Sequence, residues 1–161
     1  MSPSEIDALD ARLLETMRAH PRVGLTELAR LLGVARGTVQ ARLDKLVARE
    51  VIADFGPTVR PARLGYPVLA FLSLQIAQGL VAEAVDHLRT LPEVLEVHGT
   101  SGSSDLLCRV AARSTDHLQE VIATVLTSPA VQRTDTSVVL STQIPYRVEP
   151  LIRAAPRQDA P

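Results

Sequence analysis

The run Gly24-Leu-Thr-Glu-Leu-Ala-Arg-Leu-Leu-Gly33-Val-Ala-Arg-Gly-Thr-Val-Gln-Ala-Arg-Leu-Asp-Lys-Leu46 predicts two short helices broken at Gly33. Leu28, Ala29 and Leu32 share one face of the first. Val39, Leu43 and Leu46 recur at helical spacing in the second, with Val34 just ahead of it. That stripe leaves Arg36, Thr38, Gln40, Arg42 and Lys45 among the side chains facing out of the second helix. Guanidinium and ammonium groups suit phosphates, while Arg, Gln and Thr also hydrogen-bond base edges. A helix-turn-helix needs this arrangement, with one helix bracing across the nucleic-acid backbone while the next enters the major groove. An ordinary helical hairpin with a solvated charged face shares the pattern taken alone.

The flanking sequence separates the two readings. Ile6, Leu9, Leu13 and Met17 mark a preceding amphipathic helix, with Asp10 and Glu15 on its polar side. His20-Pro21 ends it, because proline disfavours helical geometry in the residue before it. Gly24 is an acceptable N-cap, and Glu27 three residues on supplies half of a capping box. After the third helix, residues 51–59 are short and β-prone with a Gly56-Pro57 break. Three helices and a β segment predict a winged helix-turn-helix.

Apolar residues make up 46% of the 161, yet the aromatics are only two Tyr and two Phe, so Leu, Val, Ile and Ala must build the core. The formal net charge is −1, but its distribution is uneven. From Arg22 to Arg49 six basic residues (Arg22, Arg30, Arg36, Arg42, Lys45, Arg49) face two acids (Glu27, Asp44), a local +4. The single cysteine, Cys108, excludes an intramolecular disulfide and a thiolate metal cluster. It sits in an apolar run, where a buried, reduced thiol is expected. No 18-residue apolar stretch and no charged-then-apolar leader pattern occurs, so a soluble cytoplasmic protein without membrane association is expected.

From Val68 the pattern changes. Val68 to Ile76 reads as a strand, and Val81, Val85, Leu88 and Leu91 as a helix stopped before Pro92. Val94 to Thr100 and Asp105 to Ala112 are strands joined by the tight Ser101-Gly102-Ser103-Ser104 turn. Leu118, Val121, Ile122, Val125 and Leu126 mark another helix, and Val131 to Thr142 a last strand. The two βαβ halves match at an offset of 37 residues: Leu88, Thr90, Pro92 and Val94 correspond to Val125, Thr127, Pro129 and Val131. This duplication predicts a ferredoxin-like βαββαβ domain, a four-stranded antiparallel sheet with both helices on one face. Leu69 and Phe71 lie opposite the Ala70, Leu72, Leu74 and Ile76 set, so the other face also carries apolar side chains. An uncovered apolar patch marks an interface, and packing on a twofold mate is the simplest cover.

A helix-turn-helix followed by a duplicated βαβ domain resembles the Lrp/AsnC family, the leucine-responsive or feast/famine transcriptional regulators. The residues carrying the resemblance run from Leu9-Asp10-Ala11-Arg12-Leu13-Leu14 through Arg22, Glu27-Leu28-Ala29, Gly33-Val34, Thr38-Val39, Arg42-Leu43 and Leu46. In the second half they are Leu91-Pro92-Glu93-Val94, Val97-His98, Gly102, Asp105-Leu106-Leu107, Val131, Thr134-Asp135-Thr136 and Val138-Val139-Leu140. Two positions depart from the family pattern. Ala35 stands where a Ser usually caps the recognition helix, and Ser103-Ser104 stand where an acid and an aromatic are common. The resemblance implies a regulator that binds double-stranded DNA as a homodimer assembling into higher oligomers, often octamers. It also implies a small effector, usually an amino acid, bound near the loop between the middle strands.

The expected organisation is a DNA-binding domain at 1–53, a linker at 54–66, an effector and oligomerisation domain at 67–142, and a partly disordered tail at 143–161. Within the tail, Tyr146 and Val148 offer a short strand to a neighbouring molecule, with disorder expected from Ala154. Candidate DNA contacts are Arg22, Arg36, Gly37, Thr38, Gln40, Arg42 and Lys45. Candidate effector contacts are Gly102, Ser103, Ser104 and Asp105, with His98, Thr134, Asp135 and Thr136 secondary. Backbone N–H groups and Ser hydroxyls of the turn suit a carboxylate, and Asp105 suits an ammonium group. No catalytic residue, metal or cofactor is expected. Gly99-Thr100-Ser101-Gly102-Ser103 resembles a nucleophile elbow, but it lacks the second glycine and joins two strands. His20, His87, His98 and His117 are scattered without ligand spacing. An architectural DNA-organising protein, or a small-molecule sensor without specific gene regulation, is the alternative.

Overall fold

The computed structural model describes residues 6–155. Its first helix, α1 (Ala8–Ala19), opens on a capping box. The Asp7 carboxylate accepts from the backbone amides of Leu9 and Asp10, and the Asp10 carboxylate accepts from the amide of Asp7. Helix α2 (Leu25–Leu32) ends at Gly33, whose φ of +71° is the left-handed conformation that glycine adopts without steric cost. The chain then turns into α3 (Arg36–Ala48), whose N-cap, Ala35, makes no side-chain capping bond. Leu13, Leu28, Ala29, Leu32, Val39, Leu43 and Leu46 close the core of this three-helix unit.

Two sequence expectations fail in this unit. Residues 53–60 form no strand, so the wing is absent from the structure. An extended segment needs a ladder partner for its backbone groups, and β-propensity alone does not supply one. The tail also carries a helix that is not expected, and it reaches Ala154, where disorder is expected to begin. Helix α6 (Glu149–Ala154) forms there, with Pro150 in its first turn, where proline's missing N–H costs nothing. Ile152 and Ala155 pack against the three-helix core. Glu149 pairs with Arg18 at 2.7 Å and Arg153 with Glu15 at 2.5 Å. Residues 156–161, where disorder is expected, lie outside the described ones. The first unit therefore comprises the described residues up to Pro57 together with those from Ile144 onward.

The second unit spans Thr58–Gln143. After a short 3-10 turn at Pro61–Leu64 come β1 (Val68–Ile76), α4 (Val81–Arg89), β2 (Val94–Gly99), β3 (Leu106–Ala112), α5 (Thr115–Val125) and β4 (Val131–Val138). The strands form one antiparallel sheet in the order β2-β3-β1-β4. This is the duplicated βαββαβ architecture, with the last strand ending before the Thr142 expected. Ala70, Leu72, Leu74, Leu106, Cys108 and Val110 point to one face and pack with Ala84 and Leu88 of α4 and Leu118 and Val125 of α5. Leu69 and Phe71, on the other face, are only half-buried.

Candidate nucleic-acid interface and effector site

Burying Val39, Leu43 and Leu46 fixes which side of α3 meets solvent. Arg36, Gly37, Thr38, Gln40 and Lys45 are all exposed. A Cβ at Gly37 would meet nothing within 4 Å, so this glycine keeps the helix surface low without a packing reason inside the unit. Gln40 donates to Asp44 at 2.8 Å along the helix. Arg22 is exposed in the turn between α1 and α2, beside a shallow groove of about 720 Å³ lined also by His20, Val23, Arg30 and Leu31. Arg30 is bound to Glu27 and lies outside the candidate set.

Arg42 differs from its neighbours. Its Nη1 lies 2.6 Å from Asp7 Oδ2 and 2.7 Å from Asp10 Oδ1, and its side chain is 28% exposed. Asp10, expected on the polar side of α1, is buried at 3%. Burial raises the Asp7 carboxyl, but the Arg42 hydrogen bond and the helix amides outweigh it and hold the group below its ordinary value. The two carboxylates push the Arg42 guanidinium higher still. Asp7 and Asp10 were not among the sequence candidates. Their signal was the Asp-x-x-Asp spacing of a capping box at the head of the first helix.

In the second unit, residues 100–105 join β2 to β3. Gly102 adopts φ +125° at the tip of this turn. The Thr100 amide donates to the Asp105 carbonyl at 2.9 Å, and Thr100 Oγ1 donates to the Ser104 carbonyl at 2.8 Å. Gln75 Nε2 reaches the Ser103 carbonyl at 3.1 Å. Asp105 is partly committed: Oδ2 accepts from the Ile76 amide at 2.7 Å, where the pairing of β1 with β4 shifts register. Its amide also donates to Leu74.

The secondary candidates do not form one cluster. Thr134 and Thr136 pair with Leu74 and Leu72 and so share the helix-facing side, while Asp135 pairs with Ser73 on the open side. Strict alternation along a strand makes this split unavoidable. Thr134 and Asp105 nonetheless flank Leu74 from its two sides, and Thr134 Oγ1 is buried without a hydrogen-bond partner among the described residues. Asp135 sits 3.3 Å from Arg133. His98 is exposed on the open face opposite Leu107, 3.5 Å from Glu96.

That open face carries a feature the sequence did not disclose. Arg109 donates through Nη1 to Glu96 at 3.0 Å, but its Nε is buried with no partner among the described residues. A groove of about 320 Å³ beside it is bordered by Val59, Pro61, Leu64 and Leu95.

The chain thus joins a helix-turn-helix unit to a βαββαβ domain. Residues 6–47 match the AsnC-type helix-turn-helix domain, and residues 69–148 match the Lrp/AsnC ligand binding domain. The chain is 32% identical to regulatory protein AsnC of Escherichia coli over 147 residues, covering 90% of this chain and 97% of that protein. It is 29% identical over 137 residues to the HTH-type transcriptional regulator FL11 of Pyrococcus abyssi, covering 85% of this chain and 91% of that one. The solved structure of E. coli AsnC superposes with a TM-score of 0.83 over 90% of this chain and 99% of its own. A feast or famine regulatory protein from M. tuberculosis, solved in complex with L-methionine, is 25% identical and superposes with a TM-score of 0.78, covering 88% and 96%. The chain belongs to the Lrp/AsnC family of transcriptional regulators. No helix among the described residues is long and apolar enough to cross a membrane.

Proposed function

We propose that this regulator reads double-stranded DNA through α3 as a homodimer and changes its DNA affinity or assembly when an amino acid binds the ligand domain. The observation that carries the reading is the exposed face of α3, where Arg36, Thr38, Gln40 and Lys45 project from a helix otherwise held by its apolar stripe. Arg36, Thr38 and Gln40 occupy the N-terminal half of α3, the part of a recognition helix that meets base edges, while Lys45 suits a phosphate. Dimerisation through the open sheet face is supported by the half-buried Leu69 and Phe71, which leave apolar area there without a cover among the described residues.

The effector reading rests on the 100–105 turn. Its backbone amides and the exposed Ser103 suit a carboxylate, and the Asp105 oxygen not bound to Ile76 suits an ammonium group. Footprinting with and without each of the twenty amino acids tests the whole reading. Discrete protected sites are expected, shifted in affinity or extent by at least one amino acid. Asp105→Asn keeps an acceptor for Ile76 while removing the charge, so it should abolish that response and leave basal DNA binding intact. Broad, length-dependent protection would instead favour an architectural role, and an unchanged response in Asp105→Asn would move the effector elsewhere.

A further inference from the structure

The three groups Asp7, Asp10 and Arg42 form a closed network. Each of the four carboxylate oxygens is used. Asp7 Oδ1 caps the amides of Leu9 and Asp10, and Asp10 Oδ2 takes the amide of Asp7. The remaining two, Asp7 Oδ2 and Asp10 Oδ1, converge on the single nitrogen Nη1 of Arg42. The link spans 35 and 32 residues of sequence and ties the recognition helix to the first turn of α1. Two carboxylates outweigh one guanidinium, so the cluster carries a net −1, which repels a phosphate. Arg42 follows Val39 by three positions and precedes Leu46 by four, so it borders the buried stripe and does not top the outward face.

We infer that Arg42 is a positioning residue and not a DNA contact: it clamps α3 to the N-terminus of α1 through Asp7 and Asp10 and so fixes the angle at which Arg36, Thr38 and Gln40 are presented. The inference rests on the proposal that α3 reads DNA. Its physical basis is that apolar packing along one stripe lets a helix roll and slide by small amounts. A charge-assisted bond made at one end of the interface, to a carboxylate that is itself pinned by a helix cap, removes that freedom. Base readout depends on such placement because hydrogen bonds weaken steeply with misalignment.

The two roles predict opposite signs for one substitution. Neutralising an acid near DNA strengthens binding if only charge matters. If Asp10 acts through Arg42, its loss weakens specific binding. The test uses full-length protein, a duplex selected by the wild type from random sequences, and a scrambled duplex of equal length. Affinities are measured over a salt series at a temperature where circular dichroism shows every variant folded. Asp10→Asn and Arg42→Gln are each expected to lower the preference for the selected duplex by about tenfold, part of the discrimination of one base contact. The double variant should be no worse than either single one, because both break the same link. The salt slope of Arg42→Gln should match the wild type, whereas Lys45→Ala loses about one unit. Should Asp10→Asn fail to fold, Asp7→Asn removes the more exposed carboxylate and is expected to shift the preference in the same direction. A slope reduced by about one in Arg42→Gln, together with tighter binding in the Asp variant, would overturn the inference and make Arg42 a phosphate contact. If the wild type selects no sequence at all, the DNA-reading proposal falls first and the clamp falls with it.

Discussion

Single residues in this protein do different work from what their type suggests. Asp10 looks like a solvated helix residue and is buried under a guanidinium; Arg42 looks like a phosphate ligand and is held by two acids. Cys108 follows the simpler rule. It is fully buried within the ligand-domain core, and that burial pushes its thiol up to about 11, because the thiolate would be left without water. At pH 8 the folded protein should therefore show no reaction with an aromatic disulfide reagent on the minutes timescale, and one equivalent should react once the chain is unfolded in denaturant. Rapid labelling of the native protein would mean that the sheet and helices part far more readily than their packing implies.

At the scale of elements, the order and type of nearly every helix and strand are legible in the sequence, for reasons that can be named. Gly33 marks the turn because a left-handed C-cap is needed there. The ligand domain is legible because its two halves repeat, so each weak strand signal is read twice. The missing wing and the unforeseen α6 share one cause. Both depend on what the segment packs against, and residues 51–59 and 149–154 carry no repeat or long apolar period to reveal it. The site was less legible than the fold. The outward residues of α3 followed from helical period, but the Asp7–Asp10–Arg42 link joins residues far apart in sequence, and spacing cannot show that. Helix α6 supplies its own test. Ile152→Asp sets a charge against the core of the DNA-binding unit and should destabilise that unit by about 2 kcal/mol or more. Leu151→Asp, at a side chain 70% exposed, should stay within about 0.5 kcal/mol of the wild type. Equal melting curves for the two variants, followed by far-ultraviolet circular dichroism, would mean that α6 does not dock in solution.

For the whole molecule, the open sheet face sets the expected assembly. Leu69 and Phe71 sit there beside Leu107 and the stem of Arg109. Replacing Phe71 by Asp would strand a charge in the proposed twofold interface at a cost of several kcal/mol. Sedimentation of the full chain at micromolar concentration should then show a folded monomer where the wild type shows a dimer or larger species. An unchanged sedimentation coefficient would assign dimerisation to another surface. The docking of α6 on α1 has a consequence for biosynthesis. Helices α1 to α3 leave the ribosome first, but Ile152 and Ala155, which complete their apolar cluster, leave it only after the entire ligand domain. The DNA-binding unit is thus the first part of the chain to be translated and the last to be finished. A nascent chain that has not yet reached α6 carries its recognition helix on a scaffold from which Ile152 and Ala155 are still absent.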